Sequence, residues 1–198
     1  MKPLLIGITG GIGSGKTTVS NLLRAKGYHV YDADSEARCL QDEDKIVRQQ
    51  IIEIFGNDIY DFSDKLNRAL LAEIVFNDAE KLQQLTNIVH PAIKTDFKKW
   101  IANHSNERLL FQESAILFES GFYTLFDKII VVTASEKTRT ERVMLRDNIT
   151  RQQVRERMAR QLPEKKLLTH ADFIIRTDDQ QSLEEKVEEI ITEIRAGI

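Results

Sequence analysis

Lys16 and Thr17 close the run Gly10 to Thr17, GGIGSGKT, which follows the spacing G-x-x-x-x-G-K-[ST]. Glycines at these places let successive backbone N–H groups turn inward without Cβ collisions, and the helix that follows adds its partial positive end, so such a loop cradles phosphate oxygens. The spacing assigns Gly11, Ile12, Gly13, Ser14, Gly15, Lys16, Thr17 and Thr18 to the cradle of a nucleoside triphosphate. Lys16 is expected to reach the β- and γ-phosphates, and the Thr17 hydroxyl to sit on Mg²⁺.

Three further groups have types and positions that suit phosphoryl transfer. Asp34 follows a second apolar run, Tyr28 to Tyr31, where an acceptor hydroxyl would approach the γ-phosphate and a carboxylate could take its proton. Asp32 is the competing carboxylate, and either could instead cap a helix beginning at Ser35. Glu113 ends the apolar run LLFQE, the position of an acid that holds Mg²⁺ directly or through water, or else a solvated strand end. Arg139, Arg142 and Arg146 fall on adjacent turns of one expected helix, and Arg157 and Arg160 on another. Such a pair of helices could close as a lid that stabilises charge on the transferring group and excludes water. Spacing leaves open which arginine does so, and Arg142 is carried forward as the candidate. His90 has no second His, Cys or carboxylate at ligand spacing, so a zinc site is not expected.

These residues need a scaffold that brings strand ends together. Leu4 to Thr9 is a short β-branched run suited to a fully buried parallel strand, and Lys16 to Lys26 has helical spacing with Gly27 as a left-handed stop. Residues 35 to 106 read as helical throughout: Asp44 opens a helix that Gly56 closes, another covers Leu66 to Phe76, a third covers Asp78 to Val89, and Pro91 starts a fourth that runs through Trp100. Arg108 to Glu113 and Lys128 to Thr133 are apolar strands. Thr150 with Gln153 forms a capping box for a helix to about Gln161. Asp172 to Arg176 is a last strand, and Ser182 with Glu185 caps a closing helix with one apolar stripe. The pattern predicts an α/β fold: a five-stranded parallel sheet with helices on both faces, ligands gathering at the carboxyl ends of its strands. It is expected as a single domain, with a core of 1–34, 107–135 and 162–198, a helical insertion of 35–106 and a lid of 136–161.

Bulk properties bound the reading. At 198 residues, 41% hydrophobic and 30% charged, the chain suits one soluble α/β domain. The apolar stretch Leu4 to Ile8 is interrupted by Gly7, Thr9, Gly10 and Gly11, unlike a signal peptide, and no run approaches the roughly 18 to 20 apolar residues of a membrane span. A lone cysteine, Cys39, cannot form an internal disulfide, so a cytoplasmic protein is expected. Between Glu136 and Lys166 ten Lys or Arg face five Asp or Glu in a chain of formal charge −3. That basic stretch suits a phosphate-bearing ligand or nucleic acid, or is a solvated face with ion pairs along the helix.

The segments GITGGIGSGKTTVSNLL, YDADSEAR, LNRALLAEIVFND with LTNIVHPAI, ESAILFESG and RMARQLPEKKLLTHADFII together resemble the dephospho-coenzyme A kinase family along nearly the whole chain. The glycine loop is common to many kinases, whereas the D-A-D, H-P and L-F-E motifs in this order are specific. The resemblance implies a P-loop kinase with ATP as co-substrate, Mg²⁺ as its ion and dephospho-CoA as acceptor, no nucleic acid or membrane partner, and a monomer or small homo-oligomer. It implies Asp34 as catalytic base, and Thr9 and Arg68 beside it in the acceptor site. The chain departs from the family at Glu113 and Ala115, where Asp and Pro are usual. It departs again after the last strand, where Arg176, Thr177, Asp178 and Asp179 replace an Asn with a nearby Gly. A nucleoside, nucleotide or shikimate-type kinase is the alternative within the same chemistry. A P-loop switch or nucleic-acid-stimulated ATPase is the alternative from another class, against which stands the lack of a guanine-reading N-K-x-D.

Overall fold

The computed structural model describes residues 2–179 and 181–197 and divides into two compact units, Met1–Asp32 with His104–Ile198, and Ala33–Asn103. In the first unit the five strands β1 (Leu4–Thr9), β2 (His29–Asp32), β3 (Leu109–Glu113), β4 (Lys128–Thr133) and β5 (Phe173–Arg176) are all parallel, in the order β2-β3-β1-β4-β5. The chain leaves β1 for the far edge, returns to fill the gap with β3, then continues on the other side of β1. This reversal opens a crevice at the carboxyl end of β1, where open α/β sheets bind ligands.

The core is the face of this sheet covered by α1 (Lys16–Ala25) and α9 (Leu183–Ala196). Ile6, Ile8, Leu109, Phe111, Ile130, Val132 and Ile175 point from the strands into it. Val19 and Leu23 of α1 meet them, with Val187, Ile190, Ile191 and Ile194, the one apolar stripe of α9. Burying each such side chain contributes roughly 1.5–3 kcal/mol, and that holds α1 and its leading loop in place. Gly27, at φ 87°, ends α1 in the left-handed conformation expected of it. Ser182 occupies the N-cap position of α9 but makes no side-chain capping bond.

The second unit contains α2 (Ala33–Glu43), α3 (Lys45–Phe55), α4 (Arg68–Asn77) and α5 (Ala79–Asn103) around Val47, Ile51, Ile59, Leu66 and Leu71. Three of its helices, α3, α4 and α5, begin on side-chain caps. Asp44 accepts from the Ile46 and Val47 N–H groups at 2.9 and 3.0 Å, and Asn67 from that of Leu70 at 3.1 Å. Asp78 caps α5 through Glu80 and Lys81, each at 3.0 Å. Gly56, at φ 88°, terminates α3.

Pro91 does not start a helix. It lies inside the 25-residue α5, which runs from Ala79 to Asn103. Val89, Ile93 and Phe97 are buried at four-residue spacing on both sides of it, so packing along one face outweighs the single backbone hydrogen bond that proline removes.

Beyond β4 the chain forms α6 (Glu136–Asp147), α7 (Arg151–Ala159) and the short α8 (Glu164–Leu168). The Thr150–Gln153 capping box expected for α7 is present in both halves. Asp147, at the end of α6, accepts from Arg146 at 2.7 Å and from Arg157 of α7 at 2.6 Å, tying the two helices together. The arginine hydrogen bonds hold its carboxyl below the usual range.

Candidate phosphate-binding and transfer site

The segment Gly10–Gly15 joins the end of β1 to the head of α1, and its shape depends on glycines where side chains have no room. Gly13 has φ 77°, and a Cβ there would lie 2.5 Å from the Arg139 carbonyl oxygen. Gly10 has φ 153°, and its Cβ would collide with the Val132 carbonyl of β4. Each combines a positive φ with close backbone approach, which only glycine satisfies.

The carbonyl groups of this loop are held from outside. Arg139 Nε donates to the Ile12 carbonyl at 3.1 Å, Arg142 Nη1 to that of Gly13 at 3.4 Å, and the Thr177 hydroxyl to that of Ser14 at 2.8 Å. With consecutive carbonyls engaged outward and the Ser14 N–H turned onto the Gly11 carbonyl at 3.1 Å, the loop is held in a fixed turn of the kind that cradles an anion. Arg139 is itself fixed: its side chain is 9% exposed and its Nη1 lies 2.8 Å from Glu164 Oε2, while Thr133 donates to Glu164 Oε1. Lys16 Nζ donates to the Gly10 and Gly11 carbonyls at 2.9 and 3.4 Å, so the ammonium lies across the start of the loop.

Thr17 and Thr18 are exposed at the head of α1. The Thr17 hydroxyl donates to Glu113 Oε1 at 2.9 Å, joining the first turn of α1 to the end of β3. Glu113 is 5% exposed, and its Oε2 has no hydrogen-bond partner among the described residues. Register places Asp32 of β2 opposite Glu113, on the same face of the sheet. A buried carboxylate oxygen without a partner costs free energy, and beside a threonine hydroxyl it fits a hard cation that takes oxygen ligands. No group of three or more His, Cys, Asp or Glu gathers among the described residues. Mg²⁺ is commonly held by one or two carboxylates with substrate phosphates and water completing the shell, and Glu113 with Thr17 has the chemistry for such a site.

The other expected site residues fall as follows. Thr9 is fully buried at the end of β1, and its hydroxyl makes no hydrogen bond among the described residues. Asp34 lies in the first turn of α2, two residues past the end of β2, and is exposed. Arg68, the first residue of α4, donates to Gln41 Oε1 at 2.8 Å, the Arg38 carbonyl at 3.0 Å and Asp42 Oδ2 at 2.9 Å, fastening α4 to α2. Arg142 is exposed, with its guanidinium on the Thr177 hydroxyl at 2.7 Å and carbonyl at 3.1 Å. Thr177, in the segment that departs from the usual Asn and Gly, therefore supports the loop from behind, and Asp178 beside it accepts from the Ser135 N–H at 2.7 Å.

Beside the Thr177 contact, a second was not foreseen. The Ile12 N–H donates to Gln161 Oε1 at 2.7 Å, across 149 residues of sequence. The sole signal was Gln161's place at the end of the R-x-x-x-Q run Arg157 to Gln161.

The chain is similar to known proteins along nearly its whole length. The profile of the dephospho-CoA kinase family matches residues 4–183. A dephospho-CoA kinase of Porphyromonas gingivalis is 41% identical over 193 residues, covering 97% of this chain and 95% of its own. A solved Thermus thermophilus structure superposes with TM-score 0.86 at 31% identity, covering 100% of this chain and 99% of its own. The dephospho-CoA kinase from Campylobacter jejuni superposes with TM-score 0.71 at 28% identity, with 98% of each chain covered. A family profile that matches residues 4–183 and a relative 41% identical over 97% of the chain show that the chain belongs to the dephospho-CoA kinase family.

Proposed function

We propose that the chain transfers the γ-phosphoryl group of ATP to the ribose 3′-hydroxyl of dephospho-CoA, giving CoA and ADP. The observation that carries the reading is the loop itself, with carbonyls 12 to 14 turned outward onto Arg139, Arg142 and Thr177 and the Lys16 ammonium beside residues 10 and 11. In the reaction a bond forms between the ribose oxygen and the γ-phosphorus while the bond from that phosphorus to the bridging oxygen of ADP breaks. Loop amides and Lys16 hold the phosphates in line, and Asp34 accepts the proton leaving the hydroxyl. Because such transition states are loose, positioning and charge stabilisation supply most of the acceleration and the base about 10²- to 10⁴-fold.

Thr17 and Glu113 are the residues that would hold Mg²⁺, whose charge offsets that on the β- and γ-phosphate oxygens. Asp34 suits the proton-accepting role because it follows β2, whose end is in register with Glu113. Arg68 supports the acceptor side by fixing α2, the helix whose first turn carries Asp34, against α4. Thr9, with its unpaired hydroxyl at the mouth of β1, is assigned to the acceptor as well. Arg142 reaches the transferring phosphate by exchanging its Thr177 contacts for phosphate oxygens.

No helix among the described residues is long and apolar enough to cross a membrane, and Cys39 is an exposed free thiol. Both fit the cytoplasmic location and small-molecule partners included in this proposal. The test is an acceptor panel assayed with ATP: ADP should form in proportion to dephospho-CoA, and ³¹P NMR should place the new phosphate on the 3′-oxygen. Transfer to shikimate or a nucleoside instead, with none to dephospho-CoA, would overturn the assignment.

A further inference from the structure

We infer that Gln161 is a contact for the terminal phosphate of ATP, oriented for that role by the phosphate loop. The Ile12 peptide is gripped at both ends from the region after β4, its N–H by Gln161 Oε1 at 2.7 Å and its carbonyl by Arg139 Nε at 3.1 Å. A backbone N–H is a donor, so the end of the carboxamide that meets it is the oxygen. The Nε2 amino group, with two donors and no hydrogen bond among the described residues, is thereby turned away from Ile12. Gln161 lines a cavity of about 490 Å³ with Gly11, Arg139 and Arg155, a loop glycine and two cations, and with the carboxylates Glu136 and Glu164, the second already paired with Arg139.

The position of Ile12 in the loop says which phosphate is concerned. The amides nearest the head of α1 serve the inner phosphates, whereas Ile12 adjoins Gly10 and Gly11, over which the Lys16 ammonium lies. That ammonium is the group that reaches the β- and γ-phosphates. Gln161 is also firmly placed. Its own N–H donates to the Met158 carbonyl at 3.1 Å, and the next N–H, that of Leu162, donates to Glu119 Oε1 at 3.0 Å. A neutral donor held this way stabilises charge on a phosphoryl oxygen with little reorganisation as the reaction proceeds.

The inference rests on the ATP reading above, and the experiment separates the two. Isothermal titration of MgATP and MgADP is performed, without acceptor, on the wild type, Gln161→Ala and Gln161→Glu. A donor to the terminal phosphate predicts that Gln161→Ala weakens ATP by about 10- to 100-fold, the worth of a hydrogen bond to a charged group, while ADP stays within about twofold. Gln161→Glu keeps an acceptor for the Ile12 N–H but turns a carboxylate toward the phosphate, so ATP should weaken further and ADP should not. Retained ADP binding certifies the fold of each variant. Equal weakening of ATP and ADP would make Gln161 only a strut of the loop, and no weakening of either would remove its role, both overturning the inference alone. A wild type that binds no nucleotide would overturn the ATP reading as well.

Discussion

The Thr17 hydroxyl donates to Glu113 Oε1 at 2.9 Å while Glu113 Oε2 is buried and unpaired, so one carboxylate is half used by the protein and half reserved. Glu113→Gln keeps an oxygen for Thr17 and removes the charge. The Mg²⁺ concentration giving half-maximal activity should rise on the order of 10- to 100-fold, with the fold unchanged. An unaltered Mg²⁺ dependence would show that the free oxygen serves another purpose.

Lys16 donates to two carbonyls of its own loop, and it is not one of the buried core side chains. Lys16→Ala should lower kcat/KM by at least about 10²- to 10³-fold, the scale for losing one preorganised group facing developing charge. Its Tm should match that of the wild type. A variant that keeps its rate would place the triphosphate elsewhere.

Arg139 is nearly enclosed and paired with Glu164, which bears on stability as well as on the loop. Arg139→Met removes one partner of this pair and leaves a carboxylate in a part-buried setting, so unfolding in urea should become easier by about 3 kcal/mol. Replacing both residues, Arg139→Met with Glu164→Gln, should recover part of that loss. A single variant as stable as the wild type would mean that the ion pair contributes nothing net.

His90 is partly buried on α5, and burial pushes its imidazole below the ordinary value. The folded chain then binds the proton less readily than the unfolded chain, whose histidine titrates near about 6.5, so this group's contribution to stability falls as pH drops through and below that value. His90→Gln should flatten the dependence of Tm on pH between about 5 and 7. The same slope in both proteins would assign the acid sensitivity to other groups.

What could be read before the structure was local. The cradle spacing, the left-handed stop at Gly27, the close of α3 at Gly56 and the Thr150–Gln153 box each depend on a few neighbouring residues whose conformational rules act at short range. Pro91 misled because punctuation was given more weight than the stripe Val89, Ile93 and Phe97, and packing along a helix face decides such contests. Gln161 and Thr177 were invisible as loop partners for another reason. They meet residues 149 and 163 positions away in the chain, and nothing in their immediate sequence marks the encounter. Arg139 and Arg142 were identified as members of a basic helix, but the structure divides their work among loop carbonyls, Glu164 and Thr177.

The most direct test of the account is the single-turnover rate of phosphoryl transfer from ATP to dephospho-CoA in wild type and Asp34→Asn, with ATP affinity measured alongside. The account predicts a fall of about 10²- to 10⁴-fold in the rate with ATP affinity within about twofold of wild type. A variant that transfers at the wild-type rate would contradict the assignment of Asp34 as the group that takes the proton.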